Sequence, residues 1–581
     1  TKFETRPEIL NEALHFAAAF NQPKIVDFFL NSPDIDVDTC HGDYGTRPLH
    51  KACEHGSVEM VEMLLEHGAT IEAVSRENKW TVLHFAAKGN HVDVLNLLMP
   101  RVSPGMICNI DEDGATALHL AARYGSTEAA VFLVDQYIHQ EKTEFINCYT
   151  NEGQSPLHCA IESRILALVE LFMDWGASPD IPDMHGLTPF AMAVHTGHLK
   201  ICSFLLERGA EVRSHEGFGG SVLHIAAANG HVGIVDLLVA HGADLNCIPK
   251  AGILPKYTPL QLTCEQGNLE MVRHLVEQHH VHIETAADEA QLPLHIAVLG
   301  CQTHVVAYLL EQGADPNRGH GSHGRSTLHY AVEMRQEDLV SLLILHGVDV
   351  NSESYFGETP LHIAAAFRDM VGMNILMILL DSGANVNRAA EYNGMTALHI
   401  ASTVEVISAL LRSGADVSTQ DRHGLTALHV AVKRGDIAAI KLLLEHGADT
   451  EAENTLGYTS LHTAAERGNP NVVSILLNEG SNVRAFSAYR MTPLHLAVRD
   501  GNKECALLLL ERGADIRAQD HRGRSSLHLA AEQGRSGFID ELLQRGGDLR
   551  QEDNDGNTAL ILAATNNRAD AVATLLRWTL L

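Results

Sequence analysis

No stretch of this 581-residue sequence is apolar for long enough to cross a membrane. The most apolar segment, Met370 to Leu380, falls well short of the ~20 residues a spanning helix needs. Membrane insertion is therefore not expected. Asparagine is common, yet no Asn-x-Ser/Thr sequon occurs, which reads as a chain that avoids the secretory path. The ten cysteines are scattered, with no Cys-x-x-Cys pair. In a large core-bearing chain this reads as free thiols in a reducing compartment, so the expected location is cytoplasmic. Positive charge is also short, with 42 Lys+Arg against 73 Asp+Glu and a formal net charge of −31. That balance argues against broad nucleic-acid binding and against docking on an anionic membrane. Neither a Walker phosphate loop nor a His-Glu-x-x-His zinc motif is present. The chain opens on Thr1 without a signal peptide and closes on the apolar Leu575 to Leu581. A terminal repeat should turn a polar face outward, so the sequence reads as a fragment of a longer chain.

What is present is a period. Gly424-Leu425-Thr426-Ala427-Leu428-His429 returns as Gly457-Tyr458-Thr459-Ser460-Leu461-His462, then as Thr492-Pro493-Leu494-His495 and Ser525-Ser526-Leu527-His528. These histidines stand 33 residues apart, a spacing that marks a solenoid. The unit can be read physically. Thr492 suits an N-cap and Pro493 the first helical position, where no N–H is needed. Leu494 and Ala497, three apart, share one face of a first helix. Small residues such as Ala464 and Ala465 let neighbouring helices approach. Gly435 and Gly468 stand where a left-handed residue ends that helix. Ile440 to Leu444 then reads as a second, more buried helix, which Gly447 stops. One such unit cannot bury its own apolar face, so units must stack.

The Thr/Ser-Pro-Leu-His core, the Ala-Ala after it and the closing Gly-Ala-Asp resemble the ankyrin repeat, over nearly the whole chain. The resemblance implies an all-α fold, a curved ankyrin-repeat solenoid of helix–turn–helix units with β-hairpin-like loops. Seventeen units are read, fourteen with the signature histidine; Ala191, Gln261 and Ile561 replace it in the sixth, eighth and last. Their ranges are 11–42, 45–74, 79–108, 114–148, 153–182, 186–215, 219–248, 256–286, 290–319, 324–353, 357–389, 394–420, 424–453, 457–486, 490–519, 523–552 and 556–581. Four spacings are irregular. His119 to His158 spans 39 residues, with the excess placed after the second helix around Tyr137 to Lys142. His224 to Gln261 spans 37, with the excess in Pro249 to Pro255. His362 to His399 also spans 37, with a longer turn expected near Met370 to Met373. His399 to His429 spans only 30 and lacks the glycine turn, which makes that unit the expected weak point of the stack.

Residue clusters that suggest chemistry weigh lightly against this repeat. Gly319 to Gly324 fits G-x-G-x-x-G, but no buried strand precedes it and it sits in a hairpin position. His279, His280 and His282 read as the polar end of a second helix, not as metal ligands. Cys53-Glu54-His55 offers a nucleophile and a base, but Cys53 takes an alanine position of the repeat and so belongs to the core. No catalytic residue, cofactor or metal is expected, and the chain is read as a non-enzyme. The histidines imply a structural ladder, since in the ankyrin family they bridge neighbouring units through hairpin backbone.

The resemblance implies a protein–protein interaction scaffold or adaptor that holds protein or peptide partners on its concave face. The alternative is the soluble repeat region of a larger ankyrin-bearing ion channel, toxin or enzyme. The positions that vary flank the repeat glycine and follow the Ala-Ala. They carry Tyr355, Phe356, Phe367 and Tyr392, where exposed aromatics would act as anchors. They also carry Arg422, Lys433, Arg434, Arg467, Arg490, Arg499, Arg522 and Arg524, with Tyr489 among them. Glu466, Asp500 and Glu532 interrupt that basic series. Residues 421–581 hold 18 Lys+Arg against 21 Asp+Glu, which leaves 24 against 52 for the first 420. An acidic partner for the late units is one reading; a merely solvated face is the other.

Overall fold

The computed structural model describes residues 7–32, 35–41, 45–141, 143–212, 220–249, 256–285, 292–318 and 322–580. Most of Pro249 to Pro255 and half of Gly319 to Gly324 fall outside them. The described residues form thirty-four α-helices arranged as seventeen consecutive pairs. They contain no strand, only isolated bridges at His41–Thr46 and Glu552–Thr558. The chain divides into two compact bodies, residues 1–296 and 297–581.

One unit of the second body shows why the sequence folds this way. Its first helix is Ala427–Arg434 and its second is Ile437–Glu445. The hydroxyl of Thr426 accepts from the backbone N–H of His429, and the Thr426 N–H donates to His429 Nδ1 at 3.2 Å. This is a capping box in which imidazole replaces the usual glutamate at the third helical position. Gln261 does the same in the eighth unit, where its Oε1 accepts from Thr258 N at 2.8 Å. Ala191 cannot, so the sixth unit keeps only the half in which Ala191 N donates to the Thr188 hydroxyl. Gly435 ends the first helix in the left-handed region at φ 72°, and Asp436 caps the second.

The core runs as rows of equivalent side chains. Leu428, Leu461 and Leu494 are wholly buried, and Leu527 nearly so. Each such leucine contributes roughly 1.5–3 kcal/mol by leaving water. Ala464, Ala465, Ala530 and Ala531 are also buried, so small side chains set the close approach of successive first helices.

Two of the irregular spacings lengthen second helices. The excess after His119 lengthens the second helix to Thr127–His139, followed by a 3₁₀ turn at Thr143–Asn147. Tyr137 lies inside that helix, fully buried, with its hydroxyl donating to the Ile107 carbonyl at 3.1 Å. The longer turn expected near Met370 to Met373 is not there. Those residues open a twelve-residue helix, Met370–Asp381, capped by Asp369. Asp369 accepts from Gly372 N at 2.9 Å, and this cap lets the extra residues continue the helix.

The thirty-residue unit has a first helix of four residues, Ala397–Ile400, and then Val404–Arg412. Thr403 caps the second helix, and Ser402 N donates to the Ala365 carbonyl of the preceding unit at 3.2 Å. The short helix is thus held by bonds from both sides. The boundary between the compact bodies lies elsewhere, at 296/297.

Candidate partner-binding face

Three backbone-directed ladders build one face of each body. The first joins the hairpin tips. Tyr355 N donates to His323 O, Tyr392 N to Phe356 O, Arg422 N to Asn393 O and Thr455 N to His423 O. Ala488 N to Leu456 O, His521 N to Tyr489 O and Asn554 N to Arg522 O continue it, all at 2.9–3.0 Å. In the first body Glu112 N–Asn78 O, Asn151 N–Asp113 O and Met184 N–Glu152 O do the same.

The second ladder is the histidine series. Since Nδ1 accepts from the cap N–H, the proton sits on Nε2, which donates to the carbonyl just before the next unit's cap. His429 reaches Tyr458 O at 3.0 Å, His462 reaches Met491 O at 3.0 Å and His495 reaches Arg524 O at 3.2 Å. His84, His119, His158 and His224 make the same bond in the first body. Burial keeps these rings neutral; His119, His329, His462 and His495 fall to about 4.

The third ladder escaped the sequence reading. In several units a side chain at the start of the second helix reaches back to the end of the preceding unit's first helix. Asn502 Nδ2 donates to Ala465 O and Glu466 O, both at 2.8 Å. Arg535 donates to Arg499 O at 2.8 Å, Arg568 to Glu532 O at 3.0 Å, and Ser126 to Lys88 O at 2.9 Å. These contacts satisfy carbonyls that a helix end leaves unpaired. The residue types differ, so only their position after the turn glycine could have signalled them.

The tips and first helices share a surface. Arg524, at a tip, bonds Glu532 at the end of its own first helix, and Arg325 bonds Glu333 likewise. The expected aromatics lie on that surface. Tyr355 and Tyr392 are 70% and 71% exposed, and Phe356 is 45% exposed. Their rings also pack tip to tip, with Phe356 and Tyr392 edge-on at 6.0 Å and His323 beside Phe356 at 6.2 Å. Phe367 is half-buried under the Arg335 guanidinium, 4.4 Å from its ring centre.

The basic series divides in two. Arg499 is held by Asp500 and Glu466, and Arg524 by Asp520 and Glu532. The hydrogen bond to Asp500 raises the Arg499 pKa, and these carboxylates balance the charge of both arginines within the fold. Arg422 bonds the Glu391 carbonyl, and Arg434 bonds the Ala401 carbonyl at 2.5 Å. Arg490 lies 5.5 Å over the Phe486 ring, beside exposed Tyr489. Lys433, Arg467 and Arg522 are exposed, and among the described residues no carboxylate pairs with them. Arg368, absent from the sequence-based series, joins it: it is exposed, and burial, with the Arg368 charge adding to it, lowers the Arg434 pKa.

Cys53 is fully buried and burial pushes its thiol pKa far up, while Glu54 pairs with Lys51 and Lys88. His55 bonds the Ala19 carbonyl, so these three residues do not converge as a nucleophile and base. His279 does not join His280 and His282. It meets His274 and Asp236, a carboxylate whose pKa the two imidazole bonds lower against the opposing effect of burial. Among the described residues no helix is long and apolar enough to cross a membrane.

A family model described as ankyrin repeats (3 copies) matches ten overlapping windows that run from residue 14 to 579. The chain belongs to the ankyrin-repeat family. Its ankyrin array is 29% identical over 333 residues to the mouse B-cell lymphoma 3 protein homolog, covering 57% of this chain and 50% of that protein. It is 26% identical over 478 residues to human transient receptor potential cation channel subfamily A member 1, covering 74% and 42%. It is 29% identical over 424 residues to the Caenorhabditis elegans poly [ADP-ribose] polymerase tankyrase, covering 68% and 18%. The ankyrin array thus spans half or less of each of these relatives.

Proposed function

We propose that this ankyrin array is a recognition scaffold for an acidic protein segment, held on the tip and first-helix surface of residues 355–522. The observation that carries the reading is the set of exposed cations left without carboxylate partners, Lys433, Arg467 and Arg522, in a chain of net charge −31. Arg490 and Arg368 extend the set. The exposed tip aromatics Tyr355, Phe356 and Tyr392 precede it along the same tip ladder and supply apolar anchors. Guanidinium forks favour carboxylate or phosphate oxygens, and their pull weakens as salt screens it. The test is the fluorescence anisotropy of a labelled glutamate-rich peptide with the intact chain. Reversing Lys433, Arg467, Arg490 and Arg522 together to glutamate should weaken binding at least tenfold at low salt. Unchanged affinity would leave these residues as a solvated surface only.

A second reading rests on the ion-channel relative, which matches 74% of this chain with only 42% of its own length. In that reading the array is the recognition arm of a larger polypeptide. Sequencing the full transcript decides it: an open reading frame confined to these repeats would rule it out.

A further inference from the structure

Asp236, His274 and His279 bring a carboxylate oxygen and two imidazole Nε2 atoms together, all within 4.8 Å of one another. Asp236 lies on the second helix Val232–Ala240 of the seventh unit. His274 lies on the second helix Leu269–Glu277 of the eighth, and His279 just beyond its end. His274 Nε2 stands 2.6 Å and His279 Nε2 2.8 Å from the same Asp236 Oδ1. The rings are edge-to-face with centres 5.1 Å apart.

The fold does not require this arrangement. In other units the histidine that ends the second helix caps its own helix: His67 bonds Met63 O, His241 bonds Leu237 O and His446 bonds Leu442 O. There the chain closes by a bond five residues back, as from Ala448 N to Leu443 O, through a left-handed glycine such as Gly447. The eighth unit carries one more residue. Val281 N closes six residues back, on Leu275 O, and His280 takes the left-handed position at φ 52°. The extra residue swings His279 away from its own helix end and onto the neighbouring unit's carboxylate. A non-glycine residue in that conformation costs stability. The departure serves the cluster rather than the repeat.

We propose that Asp236, His274 and His279 form a zinc site that staples the seventh and eighth repeats. Two imidazoles and one carboxylate are a familiar zinc donor set, with water as the fourth ligand. At Zn–N and Zn–O distances of about 2.0–2.2 Å, tetrahedral ligands stand about 3.3 Å apart. The carboxylate therefore retreats by about 0.5–0.7 Å from the two rings, and the two Nε2 atoms, which lie within 4.8 Å of each other, settle at the same spacing. Its side chain is 50% exposed, which leaves it room to move and leaves the ion a path in. The imidazoles are only 17% and 15% exposed and are already aimed at one point. On binding, each neutral ring shifts its proton from Nε2 to Nδ1 and gives the Nε2 lone pair to the metal. A ring that is protonated releases one proton to solvent. The role assigned is a bridge between the two repeats, with the water position left open.

The experiment titrates the full chain with zinc chloride in chelator-treated buffer, followed by metal analysis and by the visible absorption of a cobalt-substituted sample. The wild-type chain should hold one more tightly bound equivalent than the D236N/H274Q/H279Q variant. His279→Gln alone, a change in a loop, should weaken zinc at least tenfold, whereas His282→Gln should not change it. Zinc should raise the Tm of the wild type and not that of H279Q. Equal zinc stoichiometry and affinity in the wild type, H274Q and H279Q would overturn the assignment, as would a cobalt spectrum typical of octahedral water-rich coordination. This site does not depend on the acidic-partner reading, and the two can fail separately.

Discussion

Arg434 donates through its guanidinium to the carbonyl oxygen of Ala401 at 2.5 Å, thirty-three residues back along the chain. Ala401 closes the four-residue helix of the shortest repeat, where no glycine turn exists. The arginine therefore stands in for the missing turn by satisfying carbonyls that the short helix leaves open. Arg434→Ala should cost about 1–3 kcal/mol and should raise amide exchange selectively across residues 397–412. Arg467→Ala, with no such bond, should leave exchange there unchanged. Equal exchange in the two variants would contradict this role.

Stability should fall on mild acidification. The ladder histidines must be neutral to accept at Nδ1 and donate from Nε2. Burial holds their folded pKa below the ordinary value of 6.5, to about 4 for His50, His119, His329, His462 and His495. Between 6.5 and 4 the unfolded chain binds more protons, so the folding free energy drops as pH falls. The contribution is fully present above 6.5 and is lost on the way to 4. Each of these five rings withdraws roughly 3 kcal/mol over that window. The urea midpoint should move steeply down from pH 7 to pH 5; a flat profile would refute the neutral ladder.

His495→Ala should cost on the order of 1–3 kcal/mol, because it leaves the Arg524 carbonyl and the Thr492 N–H without partners. Chemical denaturation of the variant, read by circular dichroism, checks this. A loss under 0.5 kcal/mol, on the scale of ordinary surface substitutions, would mean that water replaces the imidazole.

Gly468 and Gly480 separate backbone strain from contact. Both are left-handed, at φ 73° and 91°. A Cβ on Gly468 would come 2.4 Å from Asn502 Oδ1, whereas one on Gly480 would meet nothing within 4 Å. Gly480→Ala should therefore cost only the left-handed penalty of roughly 1–2 kcal/mol. Gly468→Ala should cost clearly more, since it also displaces the Asn502 amide. Equal losses would show that the third ladder contributes little.

Much of this was legible in the sequence for a physical reason. Thr426, His429 and Gly435 each have one role that few other residue types fill, so the repeat displays them directly. What stayed hidden depends on partners far apart in the chain or chemically variable. Asn502, Arg535 and Ser126 do one job with different groups. Arg499 and Arg524 read as free cations, but Glu466 and Glu532 neutralise them at separations of 33 and eight residues. The extra residues near Met370 read as turn because the sequence does not show that Asp369 would cap them into a helix. Asp236 lies 38 and 43 residues from its two histidines, beyond any local motif.

The central claim is that the tip and first-helix surface of the late repeats receives an acidic segment. Hydrogen exchange of the intact chain with and without a saturating glutamate-rich peptide maps that surface directly. The account predicts added protection at the tips and first helices, across residues 422–434, 455–467 and 488–500. Protection confined to second helices such as Ile437–Glu445 and Pro470–Asn478 would contradict it.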